Sequence, residues 1–515
     1  MASSYFPSPN PGLRFTDFKK ISKNGFGDGH NSFAHSAAWF NNALYVGTTR
    51  CNLCMLKFSI AHNSASSLDQ LHVWPVDCPD TIEGIYNLDR RAQIWKYNPL
   101  SSSWKLVFQS PLVEPVESFM TTTTGKDGVS RSFTTNSQLV PRDIGYRGMA
   151  VFKGSNDPQH ALYIATWAPS LAPGPVLLRT MDGETFDVVS DYGIIGLPIT
   201  SIRSLASFNN RLYLAPTGSR GGNTNVSDIR TVYSSTDPAS GIWEECSMPA
   251  FGDSENLSIF SLASSPDFLY AGTFNCSGYQ IWRTDAKHSP LHNWECVISR
   301  GAGRGSLNQI ALSLCYFKDH IYIGSGIQNG GFDRVHNIGP AASTLVRLNE
   351  CTLTHELVVG RPLHLSDSTL QLPLSGLVDG FGNRFNGYFW RMESHNGWLY
   401  LGTYDSSNLL AWVNPSALSD FSAKAIQAIG SNHILKHSGF DLWRSFDGEN
   451  WLPVDRTGFG NKFNSGVRNL ISSPFGLFVG TANPFGPSVA TKCGPEWVYT
   501  PNAHGGLEIW LGHHD

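Results

Sequence analysis

The stretch Leu44–Thr48 reads LYVGT, and it returns as LYIAT from Leu162, LYLAP from Leu212, LYAGT from Leu269, IYIGS from Ile321, LYLGT from Leu399 and LFVGT from Leu477. Successive copies start 118, 50, 57, 52, 78 and 78 residues apart. Self-similarity at roughly 40–50 residues, with only short strands between, is the mark of a β-propeller whose blades carry unequal insertions. Each phrase alternates inward and outward side chains at the strand period and is expected to break at its small residue, where the chain turns. The expectation is an all-β chain forming a seven-bladed β-propeller.

Because the repeat runs from about residue 30 to the C-terminus, the 515 residues are read as one toroidal domain, 1–515. Fifty glycines, 12% aromatics and only 15% charged residues suit a turn-rich, well-buried β protein. A net charge of −4 without a basic cluster argues against a nucleic-acid partner. No apolar run approaches the roughly 18 residues a membrane span needs. The opening MASSYFPSPNPGLRF has no signal-peptide core, so a cytoplasmic protein is expected. The nine cysteines, an odd number scattered over several blades, are read as reduced, buried thiols rather than a disulfide framework.

A second signature follows each phrase and is clearest as DLWRSFDGENW, Asp441–Trp451. Its relatives are VLLRTMDGETF ending at Phe186, QIWRTDAKHSPLHNW ending at Trp294 and QIWKYNPLSSSW ending at Trp104. Each joins an aromatic-rich strand to the next through a tight polar turn, as a hairpin requires. The motif resembles the Asp-box of BNR and sialidase-type propellers, one residue shorter. The resemblance implies a structural hairpin on the outer strands.

A third element precedes the inner strand of a blade. It reads GFGDGHN (Gly25–Asn31), GFGNRFN (Gly380–Asn386) and GFGNKFN (Gly458–Asn464), with looser GRGSLN (Gly303–Asn308) and FGDSENL (Phe251–Leu257). The segment FTDFKKISKNGFG, Phe15–Gly27, stands where WLPVDRTGFG, Trp451–Gly460, follows a complete hairpin. The last blade stops at LEIWLG, Leu507–Gly512, one strand short, so the N-terminal segment is expected to supply that strand and close the ring. Blades are placed at about 30–109, 139–190, 200–247, 256–299, 308–360, 386–456, and 464–512 plus 14–22, with rim insertions at 110–138 and 414–438. The first insertion is polar and reads as a lid. The second (NPSALSDFSAKAIQAIG) reads as a short helix capped by Asn414, with Pro415 at its first position and Gly430 as its stop. The Gly-rich PTGSRGGNTN, Pro216–Asn225, follows no phosphate-loop spacing.

Alignment on the repeated phrase brings His35, Arg147, Arg203, Phe260, Leu312, Arg391 and Arg468 into one column at the channel mouth, to within a residue. Arginine offers a planar fork of donors suited to carboxylate, phosphate or sulfate. The bland alternative is that each arginine pins its own blade. Candidate catalytic residues are Asp405, Tyr404, His35, Arg391 and Arg468, with Asp405 as a general base beside Tyr404. Candidate substrate contacts are Arg147, Arg203, Trp167, Arg50, His336 and the asparagines Asn31, Asn386 and Asn464. Metal signals are weak, because CNLC (Cys51–Cys54) has no matching second half. No metal ligand set and no cofactor is expected, with a structural divalent metal left open. The partner is expected to be an anionic or phenolic small molecule.

Three function classes compete. The combination of G-F-G-N-x-x-N, LYxGT and WRSxDGxxW resembles the propeller of cyanobacterial cylindrocyclophane- and bartoloside-type alkylating enzymes. The resemblance implies displacement of chloride from an alkyl chloride by a resorcinol carbon or a carboxylate. It also implies an arginine and a tyrosine on the halide and an aspartate on the nucleophile, which Arg391 or Arg468, Tyr404 and Asp405 fit by type. A sialidase-like hydrolase, using arginines for a carboxylate and a tyrosine nucleophile, is the second class. A non-catalytic propeller binding a protein or peptide is the third. Long insertions on one rim favour an enzyme of specialised metabolism.

Overall fold

The computed structural model describes residues 11–63, 71–116, 123–124, 130–131, 139–220, 222–226, 228–288, 291–333, 335–364, 369–418 and 420–514. Most of the lid segment 110–138 therefore lies outside the described residues. The chain is mostly β, arranged as four-stranded antiparallel meanders. The first runs through Asn31–Phe40, Ala43–Arg50, Gln93–Asn98 and Ser103–Gln109. Later meanders begin at Gly145, Ser201, Asn256, Ile310, Asn386 and Gly466, and each inner strand packs against the inner strand of the next. The last meander supplies Gly466–Ser473, Gly476–Ala482 and Ile509–Gly512. Its fourth strand is Phe18–Lys20, antiparallel to Ile509–Gly512 in the register Phe18 to Gly512. Phe33, on the inner strand of the first meander, pairs with Ala482, on the second strand of the last, so the first and last meanders also meet here.

Each letter of the repeated phrase has a physical cause. Its tyrosines (Tyr45, Tyr163, Tyr213, Tyr270, Tyr322, Tyr400) are buried between meanders. Its glycine does not turn the chain, as the sequence reading expects, but sits mid-strand where the next inner strand presses closest. A Cβ on Gly272 would lie 2.6 Å from that of Ala311, one on Gly47 2.6 Å from that of Tyr146, and one on Gly402 would overlap Val467. The hydroxyl that follows accepts a backbone N–H from the third strand: Gln93 on Thr48 at 3.0 Å, Asp441 on Thr403 at 2.9 Å, Glu508 on Thr481 at 2.8 Å.

The GFG element and the third strand form one interlocked module. The phenylalanine takes a left-handed backbone, φ 56° at Phe26 and 55° at Phe381, strained for a bulky residue. Its ring stacks on the third-strand tryptophan, Phe26 on Trp95 at 4.6 Å and Phe381 on Trp443 at 4.2 Å. In the last meander Phe459 packs on Trp510 at 4.7 Å and, across the chain ends, on Phe18 at 5.2 Å. The closing asparagine is wholly buried and donates twice. Asn31 reaches the Gly25 carbonyl and Gln93, Asn386 reaches the Gly380 carbonyl and Asp441, and Asn464 reaches the Gly458 carbonyl and Glu508. The polar turns at Asp182 and Asp447 are alike. In each the aspartate takes the next two or three amides, Glu184 and Thr185 at 2.8 Å, Glu449 at 2.9 Å and Asn450 at 2.7 Å.

The insertion at 414–438 forms a 3₁₀ turn at Pro415–Ala417 capped by Asn414, then helices Asp420–Ile429 and Ser431–Lys436, divided at Gly430 with φ 91°. Helix Asn52–Asn63 begins within the CNLC string. It brings Cys54 to a Cα separation of 5.3 Å from Cys78, and the two form a disulfide. The reading of all cysteines as reduced is thus corrected, since spacing along the chain does not reveal a pair joined by folding across 24 residues. Among the described residues no helix is long and apolar enough to cross a membrane.

Candidate functional site

Every inner strand carries a one-residue β-bulge at the same place. Pairing skips one residue between Ala34 and Ser36, Tyr146 and Gly148, Ile202 and Ser204, Ile259 and Ser261, Ala311 and Ser313, Phe389 and Arg391, and Val467 and Asn469. The skipped residues are His35, Arg147, Arg203, Phe260, Leu312, Trp390 and Arg468. A bulge re-aims its side chain and bends the strand, and here it turns a column of the sequence toward a common axis. The expected column is correct at six positions and one residue off at the seventh, where Trp390 occupies the bulge and Arg391 follows it.

All of these residues but His35 border a cavity of about 230 Å³ lined by Arg147, Arg203, Phe260, Leu312, Trp390, Arg391, Glu393 and Arg468, among others. Arg147 lies 4.3 Å from the Trp167 ring and donates to Ser201 at 3.1 Å. Arg203 lies 3.4 Å from the Phe260 ring and donates to Asn223 at 2.9 Å, so the Gly-rich loop positions it. Arg468 stands 5.2 Å from the Trp390 ring. Arg391 donates to the Arg468 carbonyl at 3.2 Å. Residues one place past the bulge bind the next strand in the same way, Ser261 to the Ala311 carbonyl at 2.8 Å, Ser313 to the Phe389 carbonyl at 2.9 Å, and Asn469 to the Ala34 carbonyl. Arg391 thus belongs to this belt as well as to the cavity wall.

Among the described residues none of the four arginines forms an ion pair. Burial lowers the guanidinium pKa of Arg203 and Arg468 well below the ordinary arginine value, and neighbouring arginines lower it further. Both residues keep intermediate solvent exposure, so they are deep rather than fully enclosed. His35 is buried, its Nδ1 has no hydrogen-bond partner among the described residues, and burial, with Arg468, Arg147, Arg203 and Arg391 nearby, drives its pKa well below 6.5. It is a neutral imidazole at physiological pH. Among the described residues the one acid lining the cavity is Glu393, raised to about 7 chiefly by burial and held back by Arg391. Sequence reading missed it, although it stands two residues beyond Arg391, the spacing that shares a strand face.

An aromatic arc adjoins the arginines. Trp167 meets His35 edge-on at 5.8 Å, Phe33 meets Trp390 at 6.1 Å, and Trp390 meets Tyr404 at 5.3 Å and Tyr388 at 5.7 Å. Trp167 and Tyr404 therefore stand beside the cavity without lining it.

Other candidates lie elsewhere. Asp405 is fully buried, its Oδ1 taken by Ser407 and its Oδ2 by Asn383 at 2.7 Å, so it pins a loop outside the cavity. Burial lifts its pKa to about 6. Arg50 is spent on the Asp89 carbonyl, Asn31 and Asp28 at 2.9, 3.1 and 2.8 Å. Asn31, Asn386 and Asn464 serve the module described above. His336 sits on a different loop, bound to Asp333 at 2.7 Å and grouped with Cys276.

No known protein family matches the chain, and no curated protein matches its sequence. Solved structures similar to it include a puromycin hydrolase, with 8% identity, a TM-score of 0.44, and coverage of 95% of this chain and 55% of that one. A puromycin-hydrolyzing peptidase of Mycobacterium tuberculosis has 9% identity, a TM-score of 0.42, and coverage of 92% and 53%. The chain thus spans about half the length of these two proteins. A GH43 endo-arabinanase from Bacillus licheniformis has 15% identity, a TM-score of 0.27, and coverage of 50% and 88%.

Proposed function

We propose that the chain is a seven-bladed β-propeller closed by its N-terminal strand, and that its central cavity binds an anionic small molecule as the active site of an enzyme of specialised metabolism. The observation that carries this reading is the cavity's charge balance: among the described residues, four arginines without a carboxylate partner line it together with one acid, Glu393, and the buried His35 beside them is neutral. Clustered guanidiniums in a confined space repel one another and lose hydration, and an anion offsets both. A carboxylate or phenolate suits the forks of Arg147, Arg203 and Arg468. The aromatic arc offers a flat apolar wall to the rest of the molecule. Glu393, titrating near neutrality, is placed to take or give a proton at the bound ligand, the role first assigned to Asp405.

The alkylation chemistry that the sequence resemblance implies gains no support from Tyr404 and Asp405, since neither lines the cavity. The glycosidase alternative shares the arginine half of the argument and lacks the other, because no tyrosine is among the lining residues.

Thermal unfolding of the purified chain with chloride, acetate, sulfate, phosphate, benzoate and phenol tests the reading. An anion that binds the folded state raises stability by about 2.7 kcal/mol at a hundredfold excess over its Kd. The expected result is such a shift, lost in Arg203→Ala and Arg468→Ala. Silence of the native protein across the panel would remove the site.

A further inference from the structure

Away from the central cavity, Cys276, Asp333 and His336 each bring one ligating atom to within 4.8 Å of the others. We propose that they form a binding site for a divalent zinc-like cation. Cys276 directly follows the strand Leu269–Asn275, and Asp333 and His336 lie on the loop after His320–Gly326, so two neighbouring meanders converge here.

The loop is built to hold its side chains still. Asp333 and Ile338 exchange backbone hydrogen bonds at 2.9 and 3.0 Å, folding His336 back over Asp333. Asp333 is fully buried, its Oδ1 fixed by the Val335 amide at 2.9 Å and its Oδ2 by Gln309, itself buried, at 2.8 Å. Ligating carboxylates are commonly held this way by an outer hydrogen bond. His336 Nδ1 meets the same Oδ2 at 2.7 Å, while half of the histidine side chain remains exposed. Sharing one ion at about 2.0–2.1 Å would need these two atoms to part by only about half an ångström.

Thiolate, imidazole and carboxylate together suit zinc better than calcium or magnesium, which take oxygen donors. Cys276 and His336 also line a surface cavity of about 640 Å³ with Glu255, Ser254, Ser277 and Ser306. Three protein ligands, two of them at the wall of an open cavity and Asp333 buried behind, leave a fourth position for water or a substrate atom, the arrangement of catalytic rather than structural zinc.

The test is titration of the chelator-treated full chain with Zn²⁺, and with Co²⁺ as a spectroscopic probe. One equivalent should bind, with a thiolate-to-Co²⁺ charge-transfer band that disappears in Cys276→Ser. Affinity should fall at least tenfold in His336→Ala and be unchanged in Cys351→Ser and Cys493→Ser, whose thiols are exposed. In the native protein, Zn²⁺ should slow alkylation of Cys276, mapped by mass spectrometry, a readout that needs no variant. Absence of the band and of the protection, or binding that survives in both the Cys276→Ser and His336→Ala variants, would overturn the site. Arg203→Ala should leave Zn²⁺ binding intact, so this proposal and the anion site stand or fall separately.

Discussion

The guanidinium carbon of Arg203 lies 3.4 Å from the centroid of the Phe260 ring, the two side chains rising from bulges on neighbouring inner strands. The ring face offers Arg203 the negative potential that no carboxylate supplies, a contact worth on the order of 2 kcal/mol when desolvated. The arginine is thereby held in place with its charge uncancelled.

Arg203→Ala should therefore lower anion affinity at least tenfold, about 1.4 kcal/mol, while leaving unliganded stability unchanged or slightly higher. Removing one of several crowded cations relieves repulsion in the empty cavity. Paired calorimetric titration and thermal unfolding check this. A loss of stability without loss of binding would make Arg203 a structural pin.

Glu393 gives the cavity a pH dependence of defined sign. Its pKa rises from 4.5 to about 7 on folding, so the folded chain holds a proton that the unfolded chain has released across that window. Stability must fall as pH rises through the window and level off above about 7. Glu393→Gln should match the native protein near pH 4.5 and exceed it at about pH 8, by about 2 kcal/mol after discounting for water in the cavity. Anion binding should likewise weaken above about pH 7 in the native protein and not in the variant. Urea unfolding and titration at the two pH values measure both.

Much of this architecture was legible because the repeats are physical necessities. Gly402 admits Val467, Thr403 holds the Asp441 amide, and Asn386 ties the Gly380 turn to Asp441, so each leaves a letter at a fixed place in the chain. The column of His35, Arg147, Arg203 and Arg468 could be aligned for the same reason. A bulge leaves no letter, and alignment therefore chose Arg391 where Trp390 is aimed at the axis. Asp405 looked catalytic and Arg50 a substrate contact by type and position, but whether their polar atoms are already spent depends on Asn383 and Asp28, at the fourth place of the GFG element, and on Ser407 and Asp89, loop partners that no repeat specifies. Glu393 went unseen because its raised pKa comes from burial, a property of the assembled cavity.

The Cys54–Cys78 bridge should be worth about 3 kcal/mol on the chain-entropy account, given the sequence separation of 24 between its ends. It fastens the start of helix Asn52–Asn63 to a buried cluster containing Val76, Trp412 and Phe485. Reduction, or Cys54→Ser with Cys78→Ser, should lower the unfolding free energy measured in urea by that amount. Anion binding should be little affected, since neither cysteine lines the cavity. Equal stability in oxidised and reduced samples would contradict the expectation.

The union of the chain ends rests on Phe18. Its ring is buried 5.2 Å from Phe459, and its strand is the outermost partner of Ile509–Gly512. Phe459 is in turn packed on Trp510, so Phe18 completes an aromatic set that Trp104 completes around Phe26 and Trp451 around Phe381. Truncating a buried phenylalanine costs about 3–5 kcal/mol. Losing Phe18 would also free the outer edge of the last meander, and unpaired edges recruit other chains. Phe18→Ala should therefore destabilise by about that amount and promote concentration-dependent association, whereas the half-exposed Phe15, 45% accessible, should tolerate alanine with little change. Urea unfolding and light scattering of the two variants decide it. If Phe18→Ala behaves like Phe15→Ala, the N-terminal strand is an accessory to the last meander and not its closure.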